Sequence, residues 1–443
     1  MKGDTIMRRD MVLFSVLMAI GMAQAVPSID HVSFVQNAET KMVTVTYRLA
    51  GEPAVVTMAV ATNGVSAGGE ATWHAFGDVA RRVEPDASAK TIFWQPMKDM
   101  PNWSGAADDL RVTLTAWPVD APPDYMAVDL DAVQTNAVRY YVSADAVPGG
   151  ITNDIYKTQK LLMRKMPAAG VTWCMGRNSS EVDFGEANLA DAETGHLVTL
   201  SADYYIGVYE FTQKQWAILT GDVWPSPFKG DGYPGYERYP VSRIVEYWDA
   251  SADPVTPIQT QLAKLNARTG LAFDVPTEAQ WEFACRAGDP APIYGDRWTR
   301  TEADEVAWHG GNGDPNYDNA NSAVNGAVQP HVVGLKKPNA FGLYDMLGNV
   351  WEVCRDYWWR QYSDGSSVTD PVRTESDERA TETSTGGGTL YPRVKRGGDY
   401  HASWSQNCRA SARWNTMWAA GWWGTTSGLG FRPMCTAIAG RIE

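Results

Sequence analysis

The stretch RVKRGGDYHASWSQNCRASAR, residues 393–413, contains several residue types that carry either chemistry or binding. At its centre a glycine pair, Gly397 and Gly398, precedes a histidine, two aromatic residues and a single cysteine. Either this loop carries chemistry that uses Cys408 or His401, or it forms a surface that holds a ligand. The sequence on both sides is needed to decide between these two interpretations.

Tryptophan is concentrated directly after this stretch, in RWNTMWAAGWWGTTSGLGFR, residues 413–432. These rings could form the core stripe of a helix, but Gly421, Gly424 and the Thr-Thr-Ser run favour a loop. Large rings interleaved with small polar residues are typical of antibody-like binding sites, and exposed tryptophan also suits stacking on sugar rings. The predicted ligand-binding residues are Tyr400, His401, Ser403, Trp404, Trp414, Trp418, Trp422 and Trp423.

A set of motifs occurs in order across residues 165–437. They are GVTWCMG (170–176), YYIGVYEFTQKQW (204–216), VPTEAQWEFACRAG (275–288), GLYDMLGNVWEVCRD (342–356), RVKRGGDY (393–400), NCRASAR (407–413) and GLGFRP (428–433). Together they resemble the formylglycine-generating enzyme family, the sulfatase-modifying factors. The resemblance implies a loop-rich, mixed α+β variant of the C-type-lectin fold. It also implies an activity, the oxidation of a substrate cysteine to formylglycine with oxygen and copper(I).

The resemblance places two copper-binding thiolates shortly after the glycine pair, and soft thiolates are the ligands that copper(I) requires. In this chain the first position is Ala402, and Ser403 lies nearest to the second. Asp399 occupies the position where the family has a serine. His401 could supply one nitrogen ligand, and one nitrogen does not make a copper site. We therefore expect no copper and favour a protein that is not an enzyme. The alternative is a divergent metal-dependent oxidoreductase of the formylglycine-generating type, acting on sulfur groups such as the cysteine of sulfatases.

The same region also resembles the variable proteins of diversity-generating retroelements, which share this lectin-type fold. Their hypervariable residues lie between an RGGSW-like start, an NCRxAxR middle and a GFR end, and RGGDY, NCRASAR and GLGFR fit that frame. The resemblance implies that residues 399–407 and 414–427 display diversity. It favours a binding surface for a protein or glycan ligand, and a scaffold protein without a dedicated small ligand is a third hypothesis.

The resemblance also implies a disulfide between Cys285 and Cys408, because the family bonds the cysteine of its WEYxC helix to one in the C-terminal arginine-rich strand. In the chain-entropy description a loop of this length stabilises the fold by roughly 4–5 kcal/mol. A reactive cysteine belongs in an electropositive, partly open setting, so we favour a structural role for Cys408 over a reactive thiol. The chain has five cysteines, so at least one is unpaired or bonds elsewhere.

The segment YDMLGNVWEV, residues 344–353, is the predicted calcium site. The resemblance implies a calcium ion held by two side chains and two backbone carbonyls, which match Asp345, Gly348, Val350 and Glu352. Calcium prefers several hard oxygen ligands from a folded loop. The alternative is that Asp345 and Glu352 accept backbone N–H bonds in a buried turn.

Residues 26–117 are predicted to form an all-β sandwich, because KMVTVTYRL (41–49), AVVTMAVA (54–61), KTIFWQ (90–95) and DLRVTLTAW (109–117) alternate with the period of half-buried strands. Residues 118–164 are predicted as a Pro-rich linker and a lead-in segment, with a helix in IYKTQKLLMRK. The motif-bearing domain follows at 165–437.

Two helix starts within that domain are predicted from capping boxes. They lie at Thr212-x-x-Gln215 and at Thr277-x-x-Gln280. In the second helix, Trp281 and Cys285 are one turn apart and therefore share a face. Their apolar neighbours indicate that this face is interior.

The first 25 residues are predicted to be a secretory signal peptide. Lys2, Arg8 and Arg9 precede the apolar run MVLFSVLMAIGMA, and Ala23-Gln24-Ala25 fits cleavage after Ala25. We expect a secreted, periplasmic or cell-surface protein with no membrane span, since the apolar run is shorter than the approximately 20 residues a spanning helix needs. The net charge is −14 and there is no polybasic run, so nucleic acid is not an expected partner.

Overall fold

The computed structural model describes most of the chain between residues 26 and 436. The described residues are 26–103, 109–131, 137–177, 193–223, 228–230, 233–244, 253–294, 299–310, 329–359, 366–374, 382–383, 389–390, 392–402, 407–416 and 428–436. The predicted signal peptide, residues 1–25, lies outside them. The chain is mixed α/β, rich in sheet with few helices, and forms two compact units that meet in sequence between Asn153 and Asp154.

The first unit consists almost entirely of strands. They are β1 (Ser28–Gln36), β2 (Val43–Ala50), β3 (Ala54–Thr62), β4 (Val65–Ser66), β5 (Ala75–Gly77), β6 (Arg81–Val83), β7 (Lys90–Trp94), β8 (Leu110–Pro118), β9 (Tyr125–Asp129) and β10 (Val138–Tyr141). The short helix α1 spans Pro96–Asp99, and a 3₁₀ turn spans Gly69–Thr72. The strands predicted from the alternating segments are therefore confirmed as β2, β3, β7 and β8.

Two sheets of the first unit share one apolar cluster. One sheet has the order β1-β2-β7-β5, and the other has β4-β3-β6 with β8 paired to β3. In β2 every second residue, from Val43 to Leu49, is buried, while Thr44 and Arg48 between them are not. This period of two places alternate side chains on the face that packs against β3 and β8 residues such as Val56 and Leu114.

The second unit has short strands, short helices and long connections. Its strands are β11 (Lys160–Met166), β12 (Val171–Met175), β13 (His196–Leu200), β14 (Tyr204–Gly207), β15 (Phe273–Asp274), β16 (Trp351–Tyr357), β17 (Val368–Thr369), β18 (Glu382–Thr383), β19 (Thr389–Leu390), β20 (Arg393–Arg396), β21 (Arg413–Asn415), β22 (Leu429–Gly430) and β23 (Met434–Thr436). Its helices are α2 (Gln213–Thr220), α3 (Val255–Thr269), α4 (Glu278–Arg286) and α5 (Arg300–Val306), with 3₁₀ turns at Asp154–Lys157 and Tyr236–Arg238.

Among the described residues, three groups of strands organise this unit, beside the separate pair β18-β19. β11, β14, β23 and β15 are neighbours in that order, β12-β13-β17 form a second group, and β21-β20-β16-β22 form a third. The third sheet brings together strands far apart in sequence, because β16 pairs antiparallel with β20 and parallel with β22. It therefore gathers the WEV, RVKR, RWN and GLGFRP segments in one place.

Helix α4 lies at the centre of the second unit's core. Trp281 and Cys285 are both fully buried in the main apolar cluster, as their shared face predicted. Both predicted capping boxes are confirmed: Thr277 accepts from the Gln280 N–H while the Gln280 side chain accepts from the Thr277 N–H, and the same exchange occurs at Thr212. These caps satisfy N–H groups that a helix start leaves without partners.

The predicted helix in residues 155–165 is wrong. A 3₁₀ turn ends at Lys157, and strand β11 follows, paired antiparallel with β14. Leu161, Leu162 and Met163 are consecutive and all buried. A strand covered on both faces reads as a continuous apolar run, which periodicity cannot distinguish from a buried helix. Among the described residues, no helix is long and apolar enough to cross a membrane.

Candidate functional site

Buried ion pairs hold the segment 393–413 against helix α4. Arg396 pairs with Glu282 and, through Nε, lies 3.0 Å from a Glu278 oxygen. Arg413 binds Glu278 with two hydrogen bonds of 2.7 and 2.8 Å. Burial opposes ionisation of Glu282, but Arg396 and Arg286 outweigh it and hold its pKa below the ordinary value. Removing one partner from such a pair would leave a buried charge uncompensated.

A second buried ion pair joins the GFR segment to the WEV segment. Arg432 donates from Nη2 to Glu352 at 2.7 Å, and its Nε lies 3.0 and 3.1 Å from the two Glu352 oxygens. The Trp281 ring N–H donates to the same carboxylate at 2.6 Å. The arginines of the ordered motifs thus bind glutamates of other motifs, and these contacts hold β20, β21 and the segment of Arg432 against the core.

The predicted calcium residues lie close together, but they are engaged in other contacts. Asp345 is buried with φ of 53°, and one of its oxygens accepts the Gly334 N–H at 2.6 Å. Burial raises the pKa of Asp345 to about 6. Arg432 already binds the Glu352 carboxylate, so a calcium ion would have to displace the positively charged guanidinium group. The four residues as arranged fit calcium poorly, and calcium binding stays a prediction that requires Glu352 to leave Arg432.

Backbone geometry fixes the two remaining calcium positions. Gly348 has φ of 77°, and a Cβ there would lie 2.1 Å from the Trp308 carbonyl oxygen. Its N–H donates to the Gly397 carbonyl at 2.8 Å. The Val350 N–H donates to Glu210 at 3.1 Å. This loop therefore contacts both the glycine pair and Glu210, which lies three residues after the end of β14.

Glu210 is a buried residue that sequence reasoning missed. Its carboxylate accepts from the Asn349 side chain at 2.6 Å as well as from Val350. Burial, together with the charges of Asp345 and Glu352, raises its pKa well above the ordinary value. The sequence feature that could have identified it is its position as the one acidic residue in the otherwise apolar and aromatic segment YYIGVYEF. Among the described residues, no group of three or more histidines, cysteines and acids is placed to hold a metal ion.

Cys408 lies in the core, directly behind the glycine pair. It is fully buried, and a Cβ on Gly398 would approach its sulfur to 2.9 Å. Burial raises the pKa values of both the Cys408 and the Cys285 thiols. Both cysteines belong to one apolar cluster and carry free thiols in the structure. Their environment is not the open, electropositive setting of a reactive cysteine, and the disulfide between them stays a prediction.

Ala402, the position to which the resemblance assigns the first copper thiolate, also packs against this cluster. It is 8% exposed, its N–H donates to the Asp399 carbonyl at 2.9 Å, and its carbonyl accepts from Gly310 at 3.0 Å. Asp399 itself accepts the His401 N–H at 3.0 Å. The loop after the glycine pair is thus a hydrogen-bonded turn that offers a methyl group at this position.

The predicted ligand-binding residues differ in their surroundings. Tyr400 is 1% exposed and packs with Phe228 and Val350, so its side chain is enclosed in that cluster. His401 is partly exposed, with its ring 4.4 Å from that of Tyr400. Burial lowers the pKa of His401, and the Asp399 carboxylate opposes that shift.

Trp414 is the other predicted ligand-binding residue within the described part of the chain. It is partly exposed on β21, and its ring N–H donates to Asn407 at 2.9 Å. The remaining predicted residues, Ser403, Trp404, Trp418, Trp422 and Trp423, lie outside the described residues.

Residues 168–434 match the family described as "Sulfatase-modifying factor enzyme 1-like domain". The chain is similar to "Chaperone protein LppX" of Paenibacillus barcinonensis, with 32% identity over 217 residues, which are 43% of this chain and 70% of that protein. It is also 32% identical over 149 residues to the formylglycine-generating enzyme of Streptomyces coelicolor. That match spans 31% of this chain and 40% of the enzyme.

Among solved structures, the chain is similar to Treponema denticola variable protein 1. The match covers 62% of this chain and 95% of that one, with 25% sequence identity and a TM-score of 0.45.

Proposed function

The chain belongs to the sulfatase-modifying factor family, and we propose that it is a binding member of that family rather than an oxidase. In this proposal it is exported and recognises a protein or glycan through the C-terminal surface that includes His401, Trp414 and the tryptophan-rich segment after it. The first unit is then a β-sandwich, and the second is a C-type-lectin-like domain of the formylglycine-generating type.

The observation that carries the proposal is the methyl group at residue 402. A copper(I) site needs soft thiolate ligands, and this position offers neither a thiol nor another donor side chain. The nearest cysteine in sequence, Cys408, is enclosed in the core behind Gly398. Neither residue can reach a substrate at the surface without rearranging the turn.

Membership of the family is compatible with this loss of chemistry. A fold does not dictate function, which resides in the site built on it. One relative of this chain is described as a chaperone protein, and another as a formylglycine-generating enzyme. The scaffold, held by buried arginine–glutamate pairs, does not depend on the residues that would bind copper.

The composition of the C-terminal segment supports a binding role. Residues 413–432 combine tryptophans with glycine, serine, threonine and asparagine and almost no charge. Such mixtures supply rigid anchors and adaptable polar contacts. Export is supported by the basic start, the apolar run and the small residues before Val26.

Binding by the tryptophan-rich segment is testable with one multiple variant. The full mature chain is screened on printed arrays of glycans and extracellular proteins, and each ligand found is titrated against W418A/W422A/W423A. We expect the affinity to fall at least tenfold while the melting temperature stays unchanged.

Trp73→Ala, in the first unit, is the matched control, because it removes one indole at a site remote in sequence from the predicted surface. Its affinity should equal that of the unaltered chain. Equal affinity for the triple variant and the unaltered chain would show that this segment is not the binding site.

A further inference from the structure

One face of the sheet β21-β20-β16 carries a lysine whose cross-strand neighbour is a tryptophan and whose amine lies over a second indole ring. Lys395 on β20 pairs in register with Trp414 on β21 and with Val353 on β16. Residues paired in register point to the same side of a sheet. The opposite side carries Arg396, Arg413 and Glu352, which make the buried ion pairs. The Lys395 side is therefore chemically separate from the ion-pair side. Val353 is fully buried there, whereas Lys395 and Trp414 are partly exposed.

The Lys395 amine has an aromatic contact but no ion-pair partner among the described residues. Its Nζ lies 5.0 Å from the centroid of the Trp351 ring, and Lys395 is partly exposed. Burial lowers its pKa to about 8, and Asp399 opposes that shift without coming within ion-pair distance. A partly desolvated ammonium group without a carboxylate partner is costly, so an anion supplied from outside would stabilise it.

Trp414, the cross-strand partner of Lys395, offers a partly exposed apolar ring. Its ring orientation is fixed, because the ring N–H donates to Asn407 at 2.9 Å. Trp351 is only 8% exposed and supports Lys395 from the other side. A fixed, partly exposed indole on the strand paired with that of a lysine matches a ligand with an apolar ring face and an acidic substituent, and a uronic acid has both.

We propose that Lys395 and Trp414 bind an acidic carbohydrate, with the sugar ring stacked on Trp414 and its carboxylate paired with Lys395. This inference rests on the proposed binding function and narrows it to a ligand class. Lys395 then selects for the acidic group, and Trp414 provides affinity for sugar rings whether or not they are charged.

The overall charge of the protein works against an acidic ligand at long range. The net charge is −14, but at physiological salt exposed charges are screened beyond about 8 Å. Contact with Lys395 acts within that distance, so the local cation determines the preference. Lower salt should therefore slow association of an acidic ligand more than that of a neutral one.

The test uses matched pairs of acidic and neutral saccharides with the full mature chain. The probes are a hexasaccharide of alternating glucuronate and N-acetylglucosamine, a hexagalacturonate, and the same two with their carboxylates reduced to alcohols. Each is titrated calorimetrically against the unaltered chain, K395M, K395R and W414L, and melting temperatures verify folding. Lys264→Met, an exposed lysine on α3, is the control for loss of one charge.

We expect the unaltered chain to bind at least one acidic probe tenfold or more tightly than its reduced counterpart. K395M should lose that preference, K395R and K264M should keep it, and W414L should weaken both forms equally. Equal binding of acidic and reduced probes, a preference retained in K395M, or no binding of any saccharide would overturn the inference. The proposed binding function is tested separately, by the W418A/W422A/W423A titration.

Discussion

At the scale of single residues, Arg396 shows how strongly this fold depends on buried charge. It is fully buried, pairs with Glu278 and Glu282, and donates to the carbonyl oxygens of Ala410 and Ala412 at 2.9 and 2.8 Å. One guanidinium group therefore ties helix α4 to the segment after Cys408. The planar fork of arginine suits such multiple acceptors.

Replacing Arg396 by methionine should lower the free energy of unfolding by about 3–5 kcal/mol, because it leaves two glutamates undercompensated and two carbonyls without a donor. Urea denaturation of the purified chain measures this. The control is Lys337→Met, which breaks an ion pair whose side chains are 67% and 49% exposed, and exposed pairs contribute about 0–1 kcal/mol. Similar losses for both variants would contradict the structural role of Arg396.

Single residues also show where sequence reasoning ends. The absence of a thiol at Ala402 was evident from the motif alone, whereas the enclosure of Ala402 in the core was not. Nothing in the sequence indicated that Lys395 belongs to a binding site, because it is one of three basic residues in RVKRGG. Its pairing with Trp414 depends on β20 and β21 being neighbours in the sheet. A local sequence pattern does not reveal which strands pair.

At the scale of elements, Asp356 on β16 connects three segments of the second unit. It is 3% exposed and accepts the Glu278 N–H at 2.7 Å and the Arg373 N–H at 3.0 Å. Glu278 begins helix α4, so Asp356 adds an acceptor at the start of that helix. Burial, and secondarily the charge of Glu278, raises the pKa of Asp356 to about 6.

Because this pKa is higher in the folded state than its ordinary value of 3.8, the neutral carboxyl favours folding. Its stabilisation is complete below pH 3.8 and is lost as pH rises through 6. The difference in unfolding free energy between the unaltered chain and D356N should therefore fall by about 3 kcal/mol from pH 3.5 to pH 7.

Urea denaturation of both proteins across that range measures the difference. His331→Gln is a useful comparison, because burial lowers the His331 pKa to about 4. A histidine with a lowered pKa stabilises the fold above its ordinary pKa and loses that contribution as pH falls through 4. The H331Q difference should thus change in the opposite direction, and a D356N difference that rises with pH would contradict the assignment.

Elements with local signals were predictable from the sequence, and elements defined by distant partners were not. The capping boxes at Thr212 and Thr277 and the alternating strands of the first unit follow from residues close together in sequence. Strand β11 was predicted as a helix, because its buried run LLM depends on pairing with β14. The two-residue strands β15, β17 and β22 have no local pattern and exist through their partners.

At the scale of the whole molecule, the family and the mixed α/β character could be predicted, because the ordered motifs carry the arginines and glutamates that pair in the core. The division after Asn153 falls inside the segment predicted as linker and lead-in, which contains β9, β10 and most of β11. The alternation that locates strands does not indicate which sheet a strand joins.

The central proposal is that this family member binds its ligand without oxidising it. Oxygen consumption tests it most directly, with the purified chain, stoichiometric copper(I), and a peptide carrying the cysteine of a sulfatase sequence. The formylglycine-generating enzyme of Streptomyces coelicolor serves as the positive control. We predict no oxygen uptake above the copper-and-peptide blank and no copper retained after desalting. Retained stoichiometric copper with catalytic oxygen uptake on the peptide would contradict the account.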